Sequence, residues 1–151
     1  LSYLLISNIH TIDPKLEKEQ NNVIINKIAL FLVIFFALLS MFIIYSTAIG
    51  RMTNFLFVLL GVMFAVLGNL MYNIKPNYFI GIRLPWTLHD ATNWKKTHRL
   101  TGILWVSGGI VIALLSFFLP HKIMFIVFFS VLTLLILIPT VYSFHFYRNK
   151  A

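Results

Sequence analysis

Four stretches of this chain carry neither a charged residue nor a histidine: Ile28–Gly50, Met52–Ile74, Leu100–Pro120 and Ile123–Phe144. An α-helix crosses the ~30 Å hydrocarbon core with about 20 apolar residues, and each run is at least that long. Only helices and closed barrels satisfy every backbone polar group in lipid. Continuous apolar runs of this length predict helices, since barrel strands alternate and are far shorter. The expected fold is therefore all-α: a polytopic transmembrane helical bundle with four complete spans.

Composition agrees. Of the 151 residues 60% are hydrophobic and 11% charged, against about 25% charged in soluble domains, so there is too little polar surface to coat a water-soluble globule. The net charge of +8 would suggest nucleic acid on a soluble protein. Here the basic residues flank the apolar runs, where they set orientation and attract anionic headgroups, and no direct nucleic-acid role is expected. With no cysteine, disulfides and thiolate metal sites are excluded.

The connections are unequal. Short turns at Gly50–Arg51 and His121–Lys122 make two helical hairpins, and the long loop Lys75–Arg99 joins them. Ten basic residues (Lys15, Lys18, Lys27, Lys75, Arg83, Lys95, Lys96, Arg99, Arg148 and Lys150) fall on one side of the predicted spans, and only Arg51 and Lys122 on the other. The positive-inside rule places the ten on the cytoplasmic side of the membrane, with the long loop and the C-terminus. Residues 1–27 read as the tail of a preceding apolar segment, Leu1–Ile6, followed by a polar cytoplasmic linker. Residues 28–151 read as the four-helix membrane domain. The opening Leu1 leads us to expect that the natural protein extends further on the N-terminal side.

Small residues recur at helical spacing: Gly61, Ala65 and Gly68 on one face of the second span, and Gly102, Gly109 and Ser116 on one face of the third. Such faces let helices approach closely in lipid. Pro139 is expected to bend the fourth span.

The long loop and its flanks concentrate the chemistry. Asn69 lies near the end of the second span, where interhelical hydrogen bonding is the expected use of an amide. Gly81-Ile82-Arg83-Leu84-Pro85-Trp86-Thr87 reads as a shaped, non-helical turn, because Gly permits unusual backbone angles and Pro resists helix. Arg83, among apolar neighbours, needs a carboxylate, backbone carbonyls or a lipid phosphate, or else snorkels to the headgroups. Thr87 and Asp90 fit a capping-box-like start of a short amphipathic helix. Its Ala91, Trp94, His98 and Thr101 share a face, flanked by Lys95, Lys96 and Arg99. Trp94 and His98 lie one turn apart and can touch. His98 could carry a proton, bind phosphate, or serve as a structural hydrogen-bonding residue.

Catalytic constellations are missing. There is no HExxH, no paired carboxylate, no Cys/His cluster and no P-loop, so no catalytic residue, metal or cofactor is assigned. No acid lies within a span, which weakens a proton-coupled transporter reading.

The string Asn69, Lys75-Pro76-Asn77-Tyr78-Phe79-Ile80-Gly81-Ile82-Arg83, Pro85-Trp86-Thr87, Trp94 and His98-Arg99 resembles the SdpI family of bacterial membrane proteins. The resemblance covers roughly residue 49 to the end, and Ile12-Asp13-Pro14-Lys15 resembles the close of an N-terminal two-helix domain found in many members. It implies an immunity protein that protects the cell from a secreted, membrane-active toxin peptide. It also implies a receptor that holds a cytoplasmic transcriptional repressor at the membrane. Its expected partners are the toxin peptide, that repressor and membrane lipids. Two other readings are a lipid-handling protein or enzyme using Arg83, His98 and Arg99 on a headgroup phosphate, and a small transporter subunit.

Overall fold

The computed structural model describes residues 20–49, 54–77 and 80–150, with side chains of the first helix from residue 23 onward. The Leu1–Ile6 tail, the likeness at Ile12–Lys15, Gly50, Arg51, Tyr78 and Phe79 lie outside the described residues.

Every described element is helical: α1 (Gln20–Ala48), α2 (Phe55–Met71), α3 (Pro85–His89), α4 (Ala91–Leu115) and α5 (His121–Arg148). Three are long and apolar enough to cross a membrane, namely α1 from Val23, α4 and α5. Their outward faces and flanks carry large apolar side chains, such as Ile44 at 70%, Ile126 at 70% and Phe118 at 80% exposure. Water would not tolerate that surface, and lipid does. The chain is a helical membrane protein.

The second predicted span departs from expectation. Its helix has 17 residues, about 25 Å at 1.5 Å per residue, so four complete spans are not all present as long helices. Chemistry at both ends explains the shortening. At one end the Asn54 amide donates to Ser116 O (3.0 Å) and Leu119 O (2.7 Å), tying the start of α2 to the turn that follows α4. At the other, the chain turns at Tyr72 and Asn73, and Pro76 cannot continue a helix.

The closest interface lies between the two predicted hairpins, α2 against α4, and glycine makes it possible. A Cβ on Gly61 would sit 2.5 Å from Gly109 O, and one on Gly68 2.9 Å from Gly102 O. Both glycine pairs are seven residues apart and run antiparallel, so backbone meets backbone at two levels. Around them, Phe57, Ile112 and Met124 form one buried cluster, and Ile28, Met71, Ile74 and Trp94 form another at the loop end.

α5 continues helically through the buried Pro139. Proline has no N–H, so the carbonyl four residues earlier, Leu135 O, loses its helical donor. Trp105 Nε1 donates to that oxygen at 3.2 Å. The indole thus satisfies a group that would be costly to strand in lipid.

Adjacent glycines give a direct check on the interface. Gly109→Ala drives its methyl into the Gly61 carbonyl and α2 backbone, whereas a methyl at Gly108 meets only the Leu135 side chain, with Cδ2 at 2.9 Å. Thermal unfolding in detergent is expected to show Gly109→Ala destabilised by roughly 2–4 kcal/mol and Gly108→Ala by about 1 kcal/mol or less. Equal effects would show that α2 and α4 are not in backbone contact.

Candidate functional site at the loop end of the bundle

Residues 72–77 and 80–98 form a platform that closes one end of the bundle, and several of its polar side chains answer a backbone demand. Asn77, 1% exposed, accepts from Ile80 N at 2.7 Å and donates to Lys75 O at 3.0 Å. Gly81 follows with φ of 118°, a conformation that L side chains rarely adopt. A Cβ there would also collide with His98 Nε2.

His98 is fully buried. One ring nitrogen, Nδ1, lies 2.9 Å from Trp94 O, and the other, Nε2, accepts from Ile82 N at 2.9 Å. A carbonyl can only accept and an amide N–H can only donate, so Nδ1 carries the proton and Nε2 is bare. The ring stacks on Trp94 with centroids 4.0 Å apart, the contact their spacing predicts. Trp94 in turn donates from Nε1 to Ile74 O at 2.9 Å. One turn of α4 therefore holds both the Ile74 bend and the Gly81–Ile82 loop.

Thr87 anchors the next stretch. Its Oγ1 accepts from Leu84 N at 2.9 Å, and its proton faces Ile82 O (2.8 Å) and Leu84 O (2.9 Å). This corrects the predicted helix start. Thr87 sits inside α3, which opens with Pro85 at its first position, where a missing N–H costs nothing. Asp90 begins a separate helix, α4, with Oδ1 accepting from Thr92 N (2.8 Å) and Asn93 N (3.3 Å). The predicted amphipathic helix is thus the opening turns of α4 itself, with α3 as a separate piece.

A buried relay joins α3, α4 and α5. Trp86 Nε1 donates to Ser143 Oγ, which donates to Asn93 Oδ1, each at 2.9 Å. Thr97 Oγ1 donates to the same Asn93 oxygen at 2.9 Å, and Asn93 Nδ2 donates to Ser143 O at 3.0 Å. Outside this core, Lys150 Nζ meets Asp90 Oδ2 at 2.7 Å. The hydrogen bond from Lys150, with those from Thr92 and Asn93, outweighs partial burial and holds the Asp90 carboxyl below its usual 3.8. A depressed carboxylate stabilises the fold at neutral pH, and that contribution disappears as pH falls through its lowered folded value.

The sequence-predicted residues divide into two groups. Asn77, Gly81, Thr87, Trp94 and His98 meet in the platform, and Pro85 and Trp86 join it through α3. Four point elsewhere. Arg83 is exposed and forms no ion pair or hydrogen bond among the described residues. Asn69 is exposed and lines a groove with Tyr72 and Gly102 instead of bonding across helices. Arg99 lies over the Tyr72 ring at 5.4 Å, and Lys75 lines a cleft at the end of α2. Sequence reasoning missed Asn93 and Ser143. The signal for Asn93 was present, since Asn93, Thr97 and Thr101 repeat at a spacing of four on the face that holds Trp94.

At the opposite end, Asn54 Oδ1 accepts from His121 Nδ1 at 2.9 Å, and His121 packs edge-on against Phe125. Among the described residues no group of three His, Cys, Asp or Glu could hold a metal.

The part of the chain that matches known proteins includes the platform. The sequence profile of the SdpI/YfhL protein family matches residues 73–143. Over that segment the chain is similar to the SdpI/YfhL family. Over 89 residues the chain is 39% identical to the Immunity protein SdpI of Bacillus subtilis (strain 168), a match covering 59% of this chain and 42% of that protein. The chain spans less than half the length of this SdpI relative. No solved structure matches significantly.

The Gly81 site yields a specific expectation. Gly81→Ala would force a methyl against His98 Nε2 from an unfavourable backbone angle. Unfolding in detergent is expected to show a loss of about 2–4 kcal/mol. A loss below about 0.5 kcal/mol would show that the loop is not docked on His98.

Proposed function

We propose that this protein is a membrane immunity protein of the SdpI type, protecting the cell that makes it from a secreted, membrane-active toxin peptide. The observation that carries the reading is the coincidence of the family match with the platform: residues 73–143 run from the loop after α2 to Ser143, the far end of the buried relay. The relative's name, Immunity protein SdpI, supplies the class of function.

In this reading α1, α2, α4 and α5 all cross the membrane, with the short α2 completing the bundle. The platform and C-terminus face the cytoplasm, following the ten-to-two distribution of basic residues. Toxin meets the spans or the outer turns, where the Asn54–His121 clasp and Lys122 are the polar groups among the described residues. The same platform serves as a receptor surface for a cytoplasmic transcriptional repressor. Exposed Arg83, Lys95, Lys96 and Arg99 provide its charge, and toxin binding must favour one arrangement of the bundle over another for a signal to pass.

The geometry supports a binding role over acid–base catalysis on a headgroup. His98 is sealed from solvent with both ring nitrogens engaged, so it reaches no substrate.

Expression in a toxin-sensitive bacterium, challenged with the secreted peptide encoded beside the gene, tests the proposal. Survival is expected to rise with the wild-type chain and to fall back with Gly81→Ala. Arg83→Ala, exposed and outside the buried network, is expected to keep protection while losing repressor recruitment. No protection at confirmed membrane expression would overturn the immunity reading.

A further inference from the structure

The groove between α2 and α4 holds an amide with no bond to the rest of the described bundle. Its volume is about 330 Å³, and Asn69, Tyr72, Ile103, Val106, Ser107 and Ile110 are among the residues that line it. Ser107 Oγ donates to Ile103 O (3.0 Å) and Leu104 O (3.2 Å), so its own helix satisfies it. The Asn69 carboxamide is exposed and makes no hydrogen bond among the described residues. It lies in the last turn of α2, which has 17 residues. A helix shorter than the ~30 Å hydrocarbon layer keeps its last turn within that layer when it crosses. An amide there lacks the water that would satisfy it on a soluble surface. At the other end of the same helix, the Asn54 amide is spent on Ser116 O and Leu119 O.

The side chains along the groove also have the spacing of a helix-packing seam. On α4, Ile103, Ser107, Ile110 and Leu114 are exposed at steps of four, three and four, and on α2 Val62 and Asn69 are exposed seven apart. A period of 3.5 residues keeps one line of side chains facing a partner helix. What the partner is follows from the amide. A carboxamide carries both donors and an acceptor, so it is its own complement. Copies of one chain insert with one topology. A two-fold axis along the membrane normal then sets Asn69 opposite Asn69 at equal depth. An acyl chain can fill the groove but offers the amide nothing, and an unrelated helix has to carry a polar group at that same depth.

We propose that the α2–α4 groove is the interface with a second copy of this chain, in which the two Asn69 carboxamides hydrogen-bond to each other and the exposed Ile103 and Ile110 pack against their counterparts. This concerns assembly in the membrane and is independent of protection against a toxin.

The sequence has no cysteine, so single-cysteine cross-linking of the full chain in liposomes tests the interface. Ile103→Cys is expected to cross-link two copies through a short bis-maleimide, and Ile126→Cys, exposed on α5, is expected to give none. Single-molecule photobleaching over a range of protein densities gives the dimer affinity. Asn69→Leu is expected to weaken it about five-fold or more. Asn69→Gln, which keeps the carboxamide, should retain most of it, and Thr133→Val, which removes an exposed hydroxyl from α5, should leave it unchanged. Circular dichroism separates loss of association from loss of fold, and the cross-linking arm stands on its own where a variant does not fold. A monomer at every density, or a dimer that Asn69→Leu leaves intact, would overturn the proposal. So would cross-linking through Ile126→Cys in place of Ile103→Cys, which would move the contact to another face. A monomer that holds a phospholipid in native mass spectrometry, and loses it in Asn69→Leu, would give the groove to lipid instead.

Discussion

The bond from the Ile82 amide to the His98 ring organises one whole end of this protein. A loop that leaves a membrane helix must satisfy its backbone without the regular ladder that helices provide, and near lipid there is little water to help. Here a single turn of α4 does much of that work. Trp94 takes the Ile74 carbonyl, His98 takes the Ile82 amide, and the glycine at 81 lets the loop come close enough for the second bond to form. Thr87 and Asn77 continue the same logic on either side. If His98 did not accept, the loop would strand a part-buried N–H, at a cost of about 1 kcal/mol, and the docking of α3 on α5 would lose its foundation.

The same constraint recurs along the bundle. Pro139 frees a carbonyl, and Trp105 covers it. The turn after α4 leaves carbonyls at Ser116 and Leu119, and the Asn54 amide at the start of α2 donates to both. Glycine pairs then bring α2 and α4 to backbone contact, so dispersion replaces the hydrophobic effect that is absent between helices in lipid. Polar residues in this chain are few, and three of those that are buried, Asn77, Thr87 and His98, bond loop backbone groups outside the helical ladders.

Much of this architecture is legible in the amino-acid sequence. Length and lack of charge reveal the helices, because burial in lipid leaves a signal in every residue of a span. The glycine faces announce the α2–α4 contact, and the loop chemistry singles out Gly81, Thr87, Trp94 and His98. Helix ends are less readable. The shortening of α2 depends on Asn54 reaching residues more than sixty positions away, and no local pattern encodes that. Nor can spacing show that Thr87 lies within α3 while Asp90 opens α4, since both residues suit a cap and the choice rests on the Leu84 amide. The fate of Arg83 stays open in the sequence because its solvent exposure depends on how the loop docks. In the same way, Ser143 carries no individual signal, and it pairs with Asn93 only when α4 and α5 pack together.

His98 serves as a structural acceptor at the heart of the platform. Nitrogen NMR of the detergent-solubilised protein with labelled histidine tests it most directly, using His98→Gln to assign the signal. The geometry requires a neutral ring with a protonated Nδ1 and a bare, hydrogen-bonded Nε2, and a coupling from Nε2 to the Ile82 amide. A ring protonated at Nε2, or one that exchanges freely with solvent, would contradict the account.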